Sequence, residues 1–194
     1  MNYLAHLHIA EHCQSNLLGN LLGDFVKGNV QTQYSESIVL GIQLHRRVDA
    51  YTDSHHLCRH AKQLFPAHLR RFAPIALDMF WDHCLASEWE QYHELSLHSF
   101  INHAEQTIKS DYPDNLPASF INVTHKMWSG GWLSSYQELE NVQFALQRIA
   151  QRRERIKPLA HCNETLENHY DELHAIFRQF YPELLNAAAK SAKV

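Results

Sequence analysis

Apolar residues recur at helical spacing along almost the whole chain, and nowhere do they alternate with polar ones long enough to suggest a strand. Ile38, Gly41, Ile42, His45, Val48 and Asp49 fall on one side of a helix starting near Ser35. Leu57, Ala61, Leu64 and Phe65 make the next stripe. Leu69, Phe72, Ala76, Met79, Phe80 and His83 follow, with Pro74 kinking or restarting the helix. Phe100, Ile101, Ala104 and Ile108 form another, closed by the turn-like DYPDNLP at 111–117. Phe120, Val123 and Met127 come next, broken by Gly130–Gly131. Leu139, Val142, Leu146 and Ile149 mark a helix from Glu138 to about Arg155. A last helix is expected from near Glu164, carrying Leu166, Tyr170, Leu173, Phe177 and Phe180, until Tyr181–Pro182 interrupts it. With no hairpin signal, internal repeat or low-complexity linker, the pattern predicts an all-α, single-domain helical bundle over 1–194, of about seven to nine helices.

Charge and cysteine narrow the function classes. Lys and Arg number 17 against 21 Asp and Glu, so the net charge of −4 excludes a strongly basic nucleic-acid binder and leaves room only for a local basic patch. No apolar run approaches the roughly 20 residues of a membrane span. The opening MNYLAHLHIAEH lacks the basic and continuous apolar stretches of a signal peptide, so a cytoplasmic protein is expected, with no nucleic-acid or membrane partner. Cys13, Cys58, Cys84 and Cys162 are scattered without a CxxC pair and read as free thiols.

Histidine is the anomaly: 16 of 194 residues. Spacing and neighbours select among them, because a polar group on an apolar face is costly unless something compensates it. Asn2 and His6, with His8 nearby, share the start of NYLAHLH, as ligands or as a helix start with one hydrogen-bonded core histidine. In SNLLGNLLGDFVKG, Gly19 and Gly23 are one turn apart and open a helix face to a close neighbour. Asp24 follows among Leu21, Leu22, Phe25 and Val26, which favours a metal-bound carboxylate over a capping acid paired with Lys27. In GIQLHRRVDAYTD, His45 and Asp49 are one turn apart, as in metal sites of helical bundles, or form an ordinary ion pair. Arg46 and Arg47 adjoin them, and Asp53 adds another acid. In PIALDMFWDHCLASEW, Asp78, Asp82 and His83 sit in a nearly apolar helix, either at a metal or in a buried network with Arg46 or Arg47. The other histidines have polar neighbourhoods and read as surface. Mixed imidazole and carboxylate ligation favours Mn²⁺, Mg²⁺ or Fe²⁺ over thiolate-bound zinc. There is no P-loop, GxSxG, HExxH or EF-hand loop.

The blocks NYLAHLHIA, GNLLGDFVKG, GIQLHRRVDAYTD, LDMFWDHCLASEW, FIN at 120–122 and HYDELHAIFRQFYP, in this order, resemble the bacterial acyl carrier protein phosphodiesterase family from Asn2 to about Pro182. That family is described as a divergent relative of HD-domain phosphohydrolases. The resemblance implies Mn²⁺-dependent hydrolysis of the phosphodiester that joins 4′-phosphopantetheine to a serine of acyl carrier protein. An ordinary HD site has a contiguous His-Asp dyad; here the only adjacent pair is Asp82–His83, in reversed order.

On this reading His6, Asp24, His45 and Asp82 are the expected metal ligands, with Asp49 and His83 either ligating or orienting them. Arg46, Arg47 and Lys27 would stabilise phosphoryl charge, and His83 could protonate the leaving serine oxygen. Carrier proteins are acidic, and QRIAQRRERIK supplies Arg148, Arg152, Arg153, Arg155 and Lys157 as a docking stretch or as a solvated helix face. The rival readings are an HD-type nucleotide phosphohydrolase and a non-catalytic helical metal- or protein-binding module.

Overall fold

Helix boundaries follow the punctuation of the sequence. The computed structural model describes residues 1–192 and contains, among them, helices and no strand. The helices are α1 (Tyr3–His12), α2 (Leu17–Leu22), α3 (Glu36–Ser54), α4 (His56–Gln63), α5 (Ala73–Ser87), α6 (Leu97–Ser110), α7 (Ala118–Ser129), α8 (Trp132–Ser135), α9 (Leu139–Ala150), α10 (Cys162–Asn168) and α11 (Tyr170–Ala192). Two 3₁₀ segments, Trp89–Gln91 and Glu154–His161, join them. Asn16 caps α2 by accepting the Gly19 N–H, and Ser96 caps α6 by accepting that of Ser99. Pro74 lies in the first turn of α5, where its missing N–H is not needed, so it restarts the helix rather than kinking it.

The helices outnumber the seven to nine expected. The additions are short: α2, α8 and α10 have six, four and seven residues, too few to show a helical period. The expected final helix is split at His169 into α10 and α11. Pro182 does not interrupt α11, because buried Tyr181 and Leu184 on either side hold it against the core at the loss of one N–H donor. The helix expected to reach about Arg155 ends at Ala150, which keeps Arg148 in α9 and leaves Arg152, Arg153, Arg155 and Lys157 in the turn and 3₁₀ segment that follow.

Two helices form the centre. All residues from Leu4 to Ala10 of α1 are buried, and α5 buries every residue from Met79 to Ala86. Helices apolar all round belong inside, and α1 packs on α2, α5 and α11. The closest approach is between α2 and α3: a Cβ on Gly41 would lie 2.9 Å from the Gly19 Cα, so these backbones touch and only glycine fits. That contact lays the turn after α2 over the middle of α3.

Candidate metal centre

Three segments bring acids and imidazoles to one point. α1 supplies His6, α3 supplies His45 and Asp49 one turn apart, and the turn after α2 supplies Asp24. The His6 and His45 rings stack with centroids 3.9 Å apart. His6 Nε2 lies 3.2 Å from Asp49 Oδ1, and His45 Nε2 lies 3.1 Å from Asp49 Oδ2 and 3.5 Å from Asp24 Oδ1. Ligand atoms of His6, His45 and Asp49 all lie within 4.8 Å of one another. The rings are buried, whereas the Asp24 and Asp49 side chains are 45% and 39% exposed, so imidazoles floor the site and carboxylates rim it. Gly23 makes this possible: a Cβ there would run into the His45 ring, so the space it opens is filled by that imidazole, where Gly19 admits a backbone.

The electrostatics suit a cation. Burial, then the neighbouring His45, lowers His6 to about 4, so its ring is neutral as a metal requires. Burial alone would lower His45 too, but Asp24 and Asp49 outweigh it and raise it to about 9. Asp49 is held well below the usual carboxylate range; burial opposes this and the contacts with His45 and His6 overcome it. Both ring nitrogens of His6 are buried without a hydrogen-bond partner, although Nε2 is near Asp49. An orphaned imidazole aimed at a carboxylate and a second imidazole is an N,N,O donor set suited to a borderline or hard divalent ion. The residues therefore fit a metal.

Other expected site residues are placed differently. Asp82 is fully buried and accepts the Leu4 and Ala5 N–H groups at 2.9 and 3.0 Å. The partner its burial demands is thus the N-terminus of α1 rather than a metal ion. Burial still pushes it up to about 7, against those two hydrogen bonds. His83 has both nitrogens engaged: Nδ1–H donates to the Tyr136 carbonyl at 2.8 Å, leaving Nε2 to accept from the Tyr170 hydroxyl at 2.9 Å. It is in contact with Phe80 and His174, outside the cluster, and has no free nitrogen for a leaving group.

The arginines diverge as well. Arg46 donates to the Val26 and Gly28 carbonyls, bracing the loop that carries exposed Lys27 instead of pointing at a phosphate. Arg47 turns to the Ser191 carbonyl. Asp53 pairs with Lys62 at 3.2 Å. Arg148 lies over the Phe144 ring at 5.9 Å, while Arg152, Arg153 and Arg155 are exposed and have no acidic partner among the described residues. Tyr3 lies between charges of both signs: burial first, then Asp24, raises it to about 12 against the opposing pull of Arg152.

Of the histidines read as surface, His55 and His174 are buried, His55 beside Glu183 at 3.1 Å. Sequence reasoning assigned no role to the Met1 amine, which lies 2.9 Å from Asp78 and 3.5 Å from Asp49; no side-chain pattern marks a backbone amine.

Comparison with known proteins identifies the family. Residues 1–184 match the family model described as acyl carrier protein phosphodiesterase. A protein of that name from Klebsiella pneumoniae strain 342 is 42% identical over 189 residues, covering 97% of each chain. One from Yersinia enterocolitica is 44% identical over 189 residues, again 97% of each. One from Escherichia coli K12 is 40% identical over 193 residues, covering 99% of this chain and 100% of its own. No solved structure matches the chain. With a family model spanning nearly the whole sequence and relatives this similar end to end, the chain belongs to the acyl carrier protein phosphodiesterase family.

Proposed function

We propose that this protein hydrolyses the phosphodiester between 4′-phosphopantetheine and a serine of acyl carrier protein, releasing 4′-phosphopantetheine and apo-carrier, with Mn²⁺ as its metal. The observation that carries the reading is the convergence of His6, His45 and Asp49 in a chain of this family. These three would hold the ion, with Asp24 on the rim beside His45. A divalent ion supplies Lewis-acid stabilisation of phosphoryl charge and activation of water at neutral pH. Exposed Lys27, three residues after Asp24, suits the phosphate, exposed Arg152 suits the acidic carrier, and Arg46 positions the Lys27 loop. Arg148, Arg153 and Arg155 extend the same basic surface.

The HD-like assignment is part of this proposal. A His–Asp pair one turn apart on α3 and the facing His6 support a divergent HD-type centre, without the contiguous dyad. One continuous core supports a single catalytic domain over 1–194. Four free cysteines suit the cytoplasm, and no helix among the described residues is long and apolar enough to cross a membrane.

The test is incubation of the metal-loaded protein with holo-acyl carrier protein, weighing the carrier by mass spectrometry. Loss of the phosphopantetheine arm, abolished by chelation and restored by Mn²⁺, is the expected result. An unchanged carrier mass with folded, Mn²⁺-loaded protein refutes the reading.

A further inference from the structure

The outer side of α9 carries an aromatic ring left open to water. Val142, Leu146 and Ala150 are buried on the inner side, and Phe144 stands opposite them, 59% exposed. Among the described residues it is the most exposed of the large apolar side chains. A lone exposed apolar residue needs no explanation. Its surroundings set this one apart. From Phe144 to Lys157 the chain places five of its 17 basic residues and only one of its 21 acidic ones, in a protein whose net charge is −4.

The helix does not account for those charges. Arg148, in the last turn of α9, complements the helix dipole, but that effect fades within the turn, and Arg152, Arg153 and Arg155 lie beyond it. The one acid of the stretch, Glu154, pairs with Lys157, and the four arginines have no acidic partner among the described residues. One turn after Phe144, the Arg148 guanidinium lies 5.9 Å from the centre of its ring, close enough for the ring face to attract it. Four of the five cations are arginine, and arginine and aromatic residues are the types enriched at contacts between proteins. The occupant that fits is an acidic protein surface with an apolar side chain among its carboxylates. The carrier of the proposed reaction is acidic, whereas a second copy of this chain would bring the same arginines against one another.

We propose that Phe144, flanked by Arg148, is the apolar anchor on which the acidic carrier docks, and so a specificity-determining residue for the protein substrate. The choice of partner rests on the proposed function. The arginines steer the carrier in and orient it, and the covered ring slows its departure. α9 packs on α5, and α5 on α1, the helix of His6. The anchor need not touch the reacting bond, since a docked protein covers roughly 800 Å² of its partner.

The test uses the full chain with two readouts: titration with apo-carrier, which has no bond to cleave, and steady-state cleavage of holo-carrier. Phe144→Ala should weaken apo-carrier binding and raise KM for holo-carrier by about tenfold, the scale of an interface anchor, with kcat moving far less. Phe144→Leu, which keeps an apolar side chain, should recover most of the loss. The salt dependence should stay that of the unaltered protein, because no charge is removed. Leu95→Ala, at another exposed apolar side chain outside the basic stretch, is the control and should change neither readout. Unchanged carrier affinity in folded Phe144→Ala, an equal loss in Leu95→Ala, or no binding of apo-carrier by the unaltered protein overturns the anchor. So does a self-associated unaltered protein that Phe144→Ala disperses in sedimentation while carrier affinity holds. Apo-carrier bound through Phe144, with holo-carrier left uncleaved by the Mn²⁺-loaded protein, upholds the anchor and refutes the reaction instead.

Discussion

Gly23→Ala is the sharpest perturbation of the candidate centre, because it removes no ligand. Gly23 has ordinary right-handed helical dihedrals, so the backbone accepts alanine without strain. Alanine even favours such a conformation by up to about 1 kcal/mol over glycine. The new methyl group, however, would sit inside the contact distance of His45 Cγ and Cδ2 and 2.8 Å from His45 Cβ. Relief requires the ring to retreat by roughly 1 Å, and misplacement on that scale costs on the order of 100-fold in rate. Overpacking itself should cost about 1–3 kcal/mol of stability, partly offset by the helix preference. The expected outcome is a folded protein with kcat/KM on holo-carrier down about 100-fold and Mn²⁺ affinity down alongside it. Steady-state kinetics, Mn²⁺ titration and urea unfolding measure the three quantities. A folded Gly23→Ala protein with near-normal activity and Mn²⁺ affinity would refute the claim that this glycine seats His45.

Asp82→Ala should act on the fold: stranding the Leu4 and Ala5 N–H groups costs about 2–4 kcal/mol in urea unfolding, while the folded protein still binds one Mn²⁺. Loss of the ion at unchanged stability would return Asp82 to the ligands. Acidification should destabilise the protein through His8, whose burial between Tyr181 and the Tyr92 carbonyl lowers it to about 4. With the folded value depressed below 6.5, this contribution is complete above pH 6.5 and lost as the pH falls through about 4, at most about 3 kcal/mol. A His8→Gln variant should flatten that part of the urea-derived stability profile, and an unaltered slope would exclude His8 as its source. Charge reversal at Arg152 and Arg153 should raise KM for the carrier and flatten its salt dependence, with cleavage of a small phosphodiester nearly unchanged. An unaffected KM would place docking elsewhere.

The sequence made α3 legible because nineteen residues give five turns of pattern, and His45 and Asp49 stand on its inner side as their spacing predicts. α2 has six residues and shows no period; only its glycines signal close packing, without telling a backbone neighbour from an imidazole. Asp82 shows the limit of reasoning from burial. An acid in an apolar helix must be compensated, yet a helix N-terminus satisfies that demand as well as a metal does, and only tertiary structure chooses. Arg46 and Arg47 are neighbours in sequence but leave their helix in different directions, one to the loop beside the centre and one to α11. The family resemblance, carried by blocks in fixed order, was legible throughout.

His6 and His45 belong to helices separated by α2 and a long loop, so an ion bound between them ties together parts of the chain that unfolding would separate. Such an ion binds the native state far better than the unfolded one, and mass action then turns its affinity into resistance to heat. Each tenfold rise in free ion above the dissociation constant adds about 1.4 kcal/mol to the native state. The unfolding temperature thus becomes a gauge of metal supply, and in a metal-starved cell the protein would lose cohesion between α1 and α3 together with its chemistry.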